Sequence, residues 1–566
     1  MQFAYDPIQQ FYYYGEEPPY KGIYQDKLVT SPPNIIGADT ETISLKEDIA
    51  IGISIAVSPS CGFYFPLFPV TSPVVPWHLL KDPRYVKIFH NALFDLLCMR
   101  EYEIDGTNIR DTNIMARLQC FQFADLESMS IVHKMEVHNA GDMLKEKGVK
   151  TMLELDPAEV AKKCMQDSMA TLQLYFNLLP DADLAYLQKE METIPIMEKM
   201  SARGILIDQE FRYMMEEILD SEVDFFEKLC EETDGFKPSS SQQVSYILAK
   251  RGAYKVFHRL PYTKGRNGVK KLSSAKEVLE QMDDPLASAI LTYRSKASLL
   301  HGFVQPWKHS ERAYTRFHLD AVTGRPSSAR RNMQNIPGKP NEPNPRNMLL
   351  PDSAIFTDWD FSQLELRILA YLSGDKEMQY IFSLPTLNPD GTKNREASIH
   401  AQTEDFMGIP YKIAKNFNFA LTYGGDDNTL AQTANIRDKG LVARLRKLWA
   451  AKFPQAWDWI EACQWEARSG SQFVETLYGR RIRLPNPEEQ GLDHLLSCSI
   501  NYRIQPSAAE ILKRALITCK DFDLALQVHD QLLIDGYVEE NWLKDNIEHS
   551  SLLYTPIEVN YETRWE

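Results

Sequence analysis

Residues 354–367 read AIFTDWDFSQLELR, an apolar run that ends on Asp360 and passes directly into helix-forming residues. A strand here puts Asp358 and Asp360 on one face, because side chains alternate along an extended chain. A second acid stands in QVHDQ (527–531), set between the apolar runs LALQV and LLIDGYV, which places His529 and Asp530 at a hairpin turn. Between the two acids in sequence lies YKIAKNFNFALTYGG (411–425). Its Lys415, Phe419 and Tyr423 are spaced by four and share a helical face spanning about 80°. Such a face offers a cation to a phosphate and aromatic planes to a base. Alone, each of these segments has a bland reading, as a turn acid or an amphipathic core helix with a snorkelling lysine. Their company decides the matter.

The same logic works outward to the N-terminal part. NIIGADTET (34–42), IAIGISIAV (49–57) and CGFYFPLF (61–68) are three strand-like runs in succession, and VKIFHN (86–91) leads into the helical ALFDLLCMREYE. Asp39 and Glu41 lie two apart and share a strand face. Asp95 follows Asn91 by four on one helical face, and Asp167 opens DSMATLQLY. Taken singly, D-x-E on a strand is usually a solvated edge. The whole series gives hard oxygen ligands from several elements, as a pair of Mg²⁺ ions roughly 4 Å apart requires when it clamps a phosphodiester.

Composition bounds these readings. The 566 residues carry 44% hydrophobic and 25% charged side chains, which excludes disorder or a coiled coil as the main state. The eight cysteines include no C-x-x-C pair, which fits neither a disulfide framework nor a structural zinc site. No apolar run approaches a bilayer span and the N-terminus lacks a signal-peptide pattern, so a cytoplasmic protein without membrane contact is expected. A net charge of −16 argues against a non-specific nucleic-acid binder. Local grooves are judged separately, since charges beyond about 8 Å are screened.

With these motifs in place, residues 34–180 resemble the 3′→5′ proofreading exonuclease domain of DNA polymerase I-like enzymes, of ribonuclease H-like fold. Asp39, Glu41, Asp95 and Asp167 match its four metal-binding acids, and Asn91 and Leu45 match neighbours that touch the DNA end. One position departs: where the family carries a tyrosine four residues before the last acid, this chain has Lys163. That lysine is expected to hold a phosphate oxygen or the attacking water.

The last 250 residues are similar to the palm and fingers of family A DNA polymerases. Beside the motifs above, the resemblance rests on TGRPSSARRNMQNIP (323–337), SIHAQT (398–403), LYGRRIRLP (477–485) and NYRIQPSAAEILKRALI (501–517). It implies that Asp360 and Asp530 hold the catalytic metals and that Lys415 contacts the incoming phosphate. Phe419 and Tyr423 then shape the nucleotide pocket, Glu365 closes the sugar's 2′ side, His400 contacts phosphate, and Arg367 ties the substrate site together. Arg325, Asn501, Gln505 and His529 are implied DNA contacts. Two positions depart: Tyr411 stands where the family has an arginine, with Lys412 beside it as a substitute phosphate contact, and Gln531 replaces an acid, leaving Asp358 as a candidate third carboxylate.

The resemblance implies an α/β and α+β multidomain chain. Residues 1–30 form a lead-in, 31–185 the ribonuclease H-like exonuclease domain, and 186–566 a right-hand polymerase domain. Within the latter the thumb covers about 190–312, the palm about 313–397 and 475–566, and the fingers about 398–474. The thumb is marked by SSSQQVSYILAKRG (239–252), a serine-capped helix, and by KGRNGVKK (264–271), whose Lys264, Arg266, Lys270 and Lys271 are expected to contact the DNA backbone. No thioredoxin-binding insertion interrupts it. Two Mg²⁺ are implied at each centre, with Mn²⁺ able to substitute. Primer-template DNA and dNTPs are the expected partners, a helicase, primase or single-strand binding protein further candidates, and a monomer the expected state. Glu365 and the exonuclease argue against the related single-subunit RNA polymerases, and the retained acids against a non-catalytic DNA-binding relative. The short architecture resembles a phage or plasmid replicative enzyme, acting in the host cytoplasm if phage-encoded.

Overall fold

A computed structural model of the chain describes residues 2–6, 11–15, 34–44, 47–68, 75–104, 106–257, 260–264, 270–338, 343–434, 436 and 438–566. The N-terminal domain is built on a seven-stranded sheet: β1 (Gln2–Asp6), β2 (Phe11–Gly15), β3 (Ile35–Ser44), β4 (Glu47–Ser58), β5 (Cys61–Pro66), β6 (Val86–Phe89) and β7 (Ile109–Asp111). Its order is β1-β2-β5-β4-β3-β6-β7, antiparallel through β3 and parallel from β3 to β7. The start of the expected lead-in is therefore part of this sheet. Its tyrosine-rich text pairs as two antiparallel strands in which Tyr12 lies opposite Tyr64 of β5, and Tyr5, Tyr12 and Tyr64 form a row of rings. Helix α1 (Ala92–Cys98) follows β6, and α2 (Pro157–Leu178) lies across β3, β4 and β5. Asp156 caps α2 and Pro157 occupies its first turn, a start that needs no free N–H at that position.

Helix α3 (Leu184–Arg203) joins the two halves. It packs on α1 at one side and on a long palm helix at the other. Strand β8 (Ile205–Ile207) then leads into α4 (Gln209–Asp234), α5 (Ser241–Lys250), the hairpin β9 (Tyr262–Lys264) and β10 (Lys270–Leu272), and α6 (Pro285–Leu299). This thumb has its own small core, including Cys230, Val244, Leu248, Leu279 and Ile290. Strand β8 is held between β11 (Arg312–Ala313) and β12 (Leu349–Leu350), anchoring the thumb to the palm.

The palm sheet combines β13 (Phe356–Phe361), β14 (Leu524–Val528), β15 (Gln531–Asp535) and β16 (Ile557–Glu562) in the order β14-β15-β13-β16. Trp359 is fully buried, and its neighbours Asp358 and Asp360 take the opposite face. Helix α7 (Leu364–Ser373) leaves β13. The fingers follow as α8 (Ile399–Met407), α9 (Tyr411–Thr422), α10 (Lys439–Lys452) and α11 (Pro454–Arg468), and α12 (Leu492–Thr518) returns beneath the palm. The seam between the halves carries polar contacts. Glu190 of α3 pairs with Lys513 of α12, both under a tenth exposed, Tyr186 donates to Glu510 at 2.6 Å, and the Cys120 thiol donates to the Arg481 carbonyl. All eight cysteines are free thiols. Among the described residues no helix is long and apolar enough to cross a membrane.

Candidate active sites

Strand β3 turns Gly37, Asp39 and Glu41 toward α2. The approach is so close that a Cβ at Gly37 would overlap the Ser168 carbonyl. Lys163, Cys164 and Asp167 face them from the helix. Asp39 Oδ2 accepts a hydrogen bond from the Cys164 thiol at 3.4 Å, and Asp95 Oδ1 accepts from the Thr40 amide at 3.0 Å and hydroxyl at 2.7 Å. Lys163, expected to hold a phosphate oxygen or the attacking water, is turned toward the acids themselves. Its ammonium bridges two acids, bonding Glu41 Oε1 and lying 2.7 Å from Asp167 Oδ2, with all three side chains under a tenth exposed.

The electrostatics follow from this crowding. Burial, then Asp167 and Asp95, raises Asp39 well above the usual carboxyl range. Burial also raises Glu41 and Asp167, against the opposing pull of Lys163, and lifts Asp95 to about 7. Burial disfavours the ammonium, but Asp167, Glu41 and Asp39 together outweigh it and hold Lys163 protonated. Asp167 Oδ1 is buried with no hydrogen-bond partner, and Asp39, Glu41 and Cys164 offer ligand atoms within 4.8 Å of one another. An orphaned carboxylate oxygen beside hard donors fits a divalent cation. Tyr64 of β5 lies across Gly52, where any Cβ would meet its phenol, and Gly52 pairs with Glu41.

At the other centre, Asp360 ends β13 opposite Gln531, and Asp530 sits in the β14–β15 turn, its carbonyl accepting from the Phe361 amide at 3.3 Å. The left-handed backbone of His529 (φ 55°) makes that turn. Both acids line a cavity of about 660 Å³ together with Arg325, Glu365, His400, Tyr411, Lys415, Phe419, Tyr423 and His529. Among the described residues no side chain hydrogen-bonds either carboxylate. Although Asp360 reaches the open cavity, desolvation by the protein around it, then Asp530, Asp358 and Glu558, pushes it up to about 8. Asp530 rises to about 6, chiefly by burial and then by Glu365. Two acids without side-chain partners on the wall of one cavity fit hard cations.

Around them, Phe419 and Tyr423 stack with centroids 6.1 Å apart, Lys415 lies 5.9 Å from the Phe419 ring, and His400 packs on Phe419. Asn418 meets His400 Nδ1 at 3.1 Å, and burial lowers that imidazole to about 4, so it is neutral and offers a hydrogen bond in place of a charge. Glu365 receives Arg325 and the Tyr423 hydroxyl, while its Oε2 is buried without a partner.

A sequence profile for DNA polymerase family A matches residues 209–562. The chain belongs to that family. A 3′-5′ exonuclease profile matches residues 26–143, stopping before α2, so Lys163 and Asp167 lie outside the matched stretch. Family A relatives include DNA polymerase I of Chloroflexus aurantiacus, 26% identical over 89% of this chain and 57% of the relative. DNA polymerase I of Lactococcus lactis subsp. lactis is 29% identical over 74% of this chain and 50% of its own length. The chain spans about half to three-fifths of the curated relatives it matches. In structure it is similar to the polymerase domain of Pol1 from M. smegmatis, solved with DNA primer-template and dNTP: TM-score 0.76, 20% identity, 97% of this chain and 99% of that one. Domains of both kinds use divalent metal ions.

Of the remaining expected residues, some stand away from the cavity. Arg367 is buried behind the cavity, donating to the Ser362 carbonyl at 2.9 Å and stacking on Phe382, so it braces the β13–α7 turn and does not line the substrate cavity. Lys412 is exposed on α9 and is not among the cavity-lining residues. Asp358 is no free ligand: the Gln531 amide donates to both its oxygens, at 2.8 and 2.6 Å. Gln531, across the strand from Asp360, thus commits its amide to Asp358. Asn501 and Gln505 lie one turn apart on α12, Asn501 Oδ1 being buried without a partner. Asn91 is exposed with a left-handed backbone at the start of α1, its amide donating to Asp111. Lys264 and Lys270 pair across the thumb hairpin beside the exposed Lys271, so the two ends of the expected basic loop lie on strands. Leu45 and Arg266 lie outside the described residues.

Two features escaped the sequence reading. Asp111 accepts from the amides of Asn91, Ala92, Asn113 and Ile114 and so fixes α1 and Asp95 from behind. Its position at a strand end before T-N-I-M was the available signal, that of an N-cap. Gln334 donates to Gln527 Oε1 at 2.9 Å, and Gln527 to the His529 carbonyl at 2.6 Å, which sets the Asp530 turn. No local signal pairs residues 193 positions apart. A separate cavity of about 1030 Å³ lies between the halves, bordered by Arg117, Arg468, Arg480, Arg483 and Phe123, and holds none of the acids.

Proposed function

We propose that this chain is a template-directed DNA polymerase that adds dNTPs to a primer 3′ end and trims that end with its 3′→5′ exonuclease. The observation that carries the reading is the single cavity in which Asp360 and Asp530, free of side-chain partners, face Lys415 and the stacked Phe419–Tyr423 pair. Two Mg²⁺ held by Asp360 and Asp530 would supply charge compensation for the triphosphate and activation of the 3′-hydroxyl. The protein's own part is positioning. Lys415 meets the phosphates, Phe419 offers its face to the base, and His400 donates a hydrogen bond to a phosphate oxygen.

Glu365, tied to Tyr423 and Arg325, walls off one side of the sugar. The pair rejects a 2′-hydroxyl by occupying its space, since an apolar pocket tolerates an added hydroxyl. At the second centre Asp39, Glu41, Asp95 and Asp167 hold divalent metal for hydrolysis of the terminal phosphodiester. Primer-template DNA lies along the palm and under the basic thumb hairpin. Primer extension on a defined template, with and without dNTPs, tests both activities at once. Elongation with dNTPs and shortening without them is expected; an unchanged primer in both arms overturns the reading.

A further inference from the structure

The exonuclease acids do not await two ions on equal terms. Four carboxylates converge there, and one cation from the chain is already among them. Lys163 and Asp167 are four apart on α2, so the helix itself aims the ammonium at Asp167. The close seating of α2 on β3 then brings Glu41 to its other side. Among the described residues no other lysine or arginine reaches the four acids. What is left unclaimed is uneven. Asp167 Oδ1 has no partner, Asp39 takes only a weak thiol donor, and Asp95 is held by Thr40.

We propose that Lys163 is a resident cation of the exonuclease centre, its ammonium holding the place between Glu41 and Asp167 that a second divalent ion would need, so that this centre binds one ion where two were expected. The ion takes the oxygens the lysine leaves, at Asp39 and Asp167 Oδ1. An ammonium and a divalent cation repel one another and compete for the same lone pairs, so both cannot be served by Glu41 and Asp167 Oδ2. The inference rests on the exonuclease reading above and refines it. It also accounts for a basic side chain nine-tenths buried in a metal site, which is otherwise costly unless paired.

The test counts ions directly. In the full chain carrying Asp360→Asn and Asp530→Asn, bound Mn²⁺ is titrated by electron paramagnetic resonance, with and without Asp39→Ala plus Glu41→Ala. One ion that disappears with the exonuclease acids is the expected result. Two such ions overturn the resident-cation proposal and leave the exonuclease reading standing; none overturns the exonuclease reading itself. Lys163→Met should add a second ion or tighten Mn²⁺ by at least about tenfold, and an unchanged titration rejects the proposal. Should that variant fail to fold, reductive methylation of the parent chain gives a separate readout. Lys163 should stay unmodified with and without Mn²⁺, whereas modification appearing on Mn²⁺ addition shows that the ion displaces it and that the proposal is wrong.

Discussion

The two carboxylate centres of this chain are neutralised in opposite ways. At the exonuclease acids a lysine from the same helix as Asp167 is wedged between two of the four carboxylates. At the palm, Arg325 is committed to Glu365, and Lys415 stands on the cavity wall without an ion-pair partner among the described residues. The first centre is held together by its own charge before any metal arrives. At the second, no lysine or arginine among the described residues pairs with Asp360 or Asp530; desolvation and then Asp530 raise Asp360 to about 8, and under the proposed function cations from solution complete the site. A buried cluster can thus be set for geometry or for ion hunger, and this chain holds one of each.

The sharpest way to break this contrast is to neutralise the palm acids. Asp360→Asn or Asp530→Asn is expected to lower single-turnover nucleotide addition by more than about 1,000-fold, or ~4 kcal/mol, with primer-template affinity nearly intact. Extension retained at more than a few per cent of the parent rate would remove that residue from the metal site. The matching change at the other centre, Asp39→Ala with Glu41→Ala, should cut removal of a mismatched 3′ nucleotide by at least ~100-fold while leaving extension of a matched primer unchanged. A joint loss of both activities would show that the centres are not independent.

A smaller effect belongs to Glu365. Its removal frees the Tyr423 hydroxyl and Arg325, and Glu365→Ala is expected to raise ribonucleotide use relative to dNTP by roughly tenfold to a hundredfold, read from competing incorporation. The smallest effect is in pH. Unfolded carboxyls titrate near 4, whereas Asp360 and Asp530 titrate at about 8 and 6 in the fold. Across that interval the metal-free fold holds more protons than the unfolded chain, so its stability falls as pH rises, and a bound divalent ion offsets the loss. The gain in Tm from Mg²⁺ should therefore be larger near pH 8.5 than near pH 6, by roughly 2 °C, and Asp360→Asn should erase most of that difference. A gain independent of pH would mean that the palm acids are already compensated.

What could be read beforehand follows a physical line. Acids at strand ends, and a helical face spaced by four, declare themselves because spacing alone fixes their direction; Asp39, Glu41, Asp360, Lys415, Phe419 and Tyr423 are of this kind. Partners chosen by packing do not. The i,i+4 link from Lys163 to Asp167 was visible in the sequence, but the link to Glu41 depends on how closely α2 approaches Gly37. Likewise nothing local joins Gln531 to Asp358, or Arg325 to Glu365. The N-terminal hairpin was missed because its tyrosines do not alternate with polar residues; they earn their strand by stacking on Tyr64, a tertiary effect that outweighs local pattern.

The polar seam under α3 has a consequence for traffic between the centres. Glu190–Lys513, Tyr186–Glu510 and the Cys120–Arg481 contact fasten the nuclease sheet to the palm with buried or half-buried bonds, and such a seam is poorly made for sliding. The gap between the two sets of acids is then a fixed length belonging to the protein. Under the proposed function, a strand end that visits both must do the travelling, and the number of base pairs it melts on the way is set by that length. Proofreading frequency would then be a matter of how readily the duplex frays, so that weak or mispaired ends sort themselves toward trimming without any part of the protein having to sense an error.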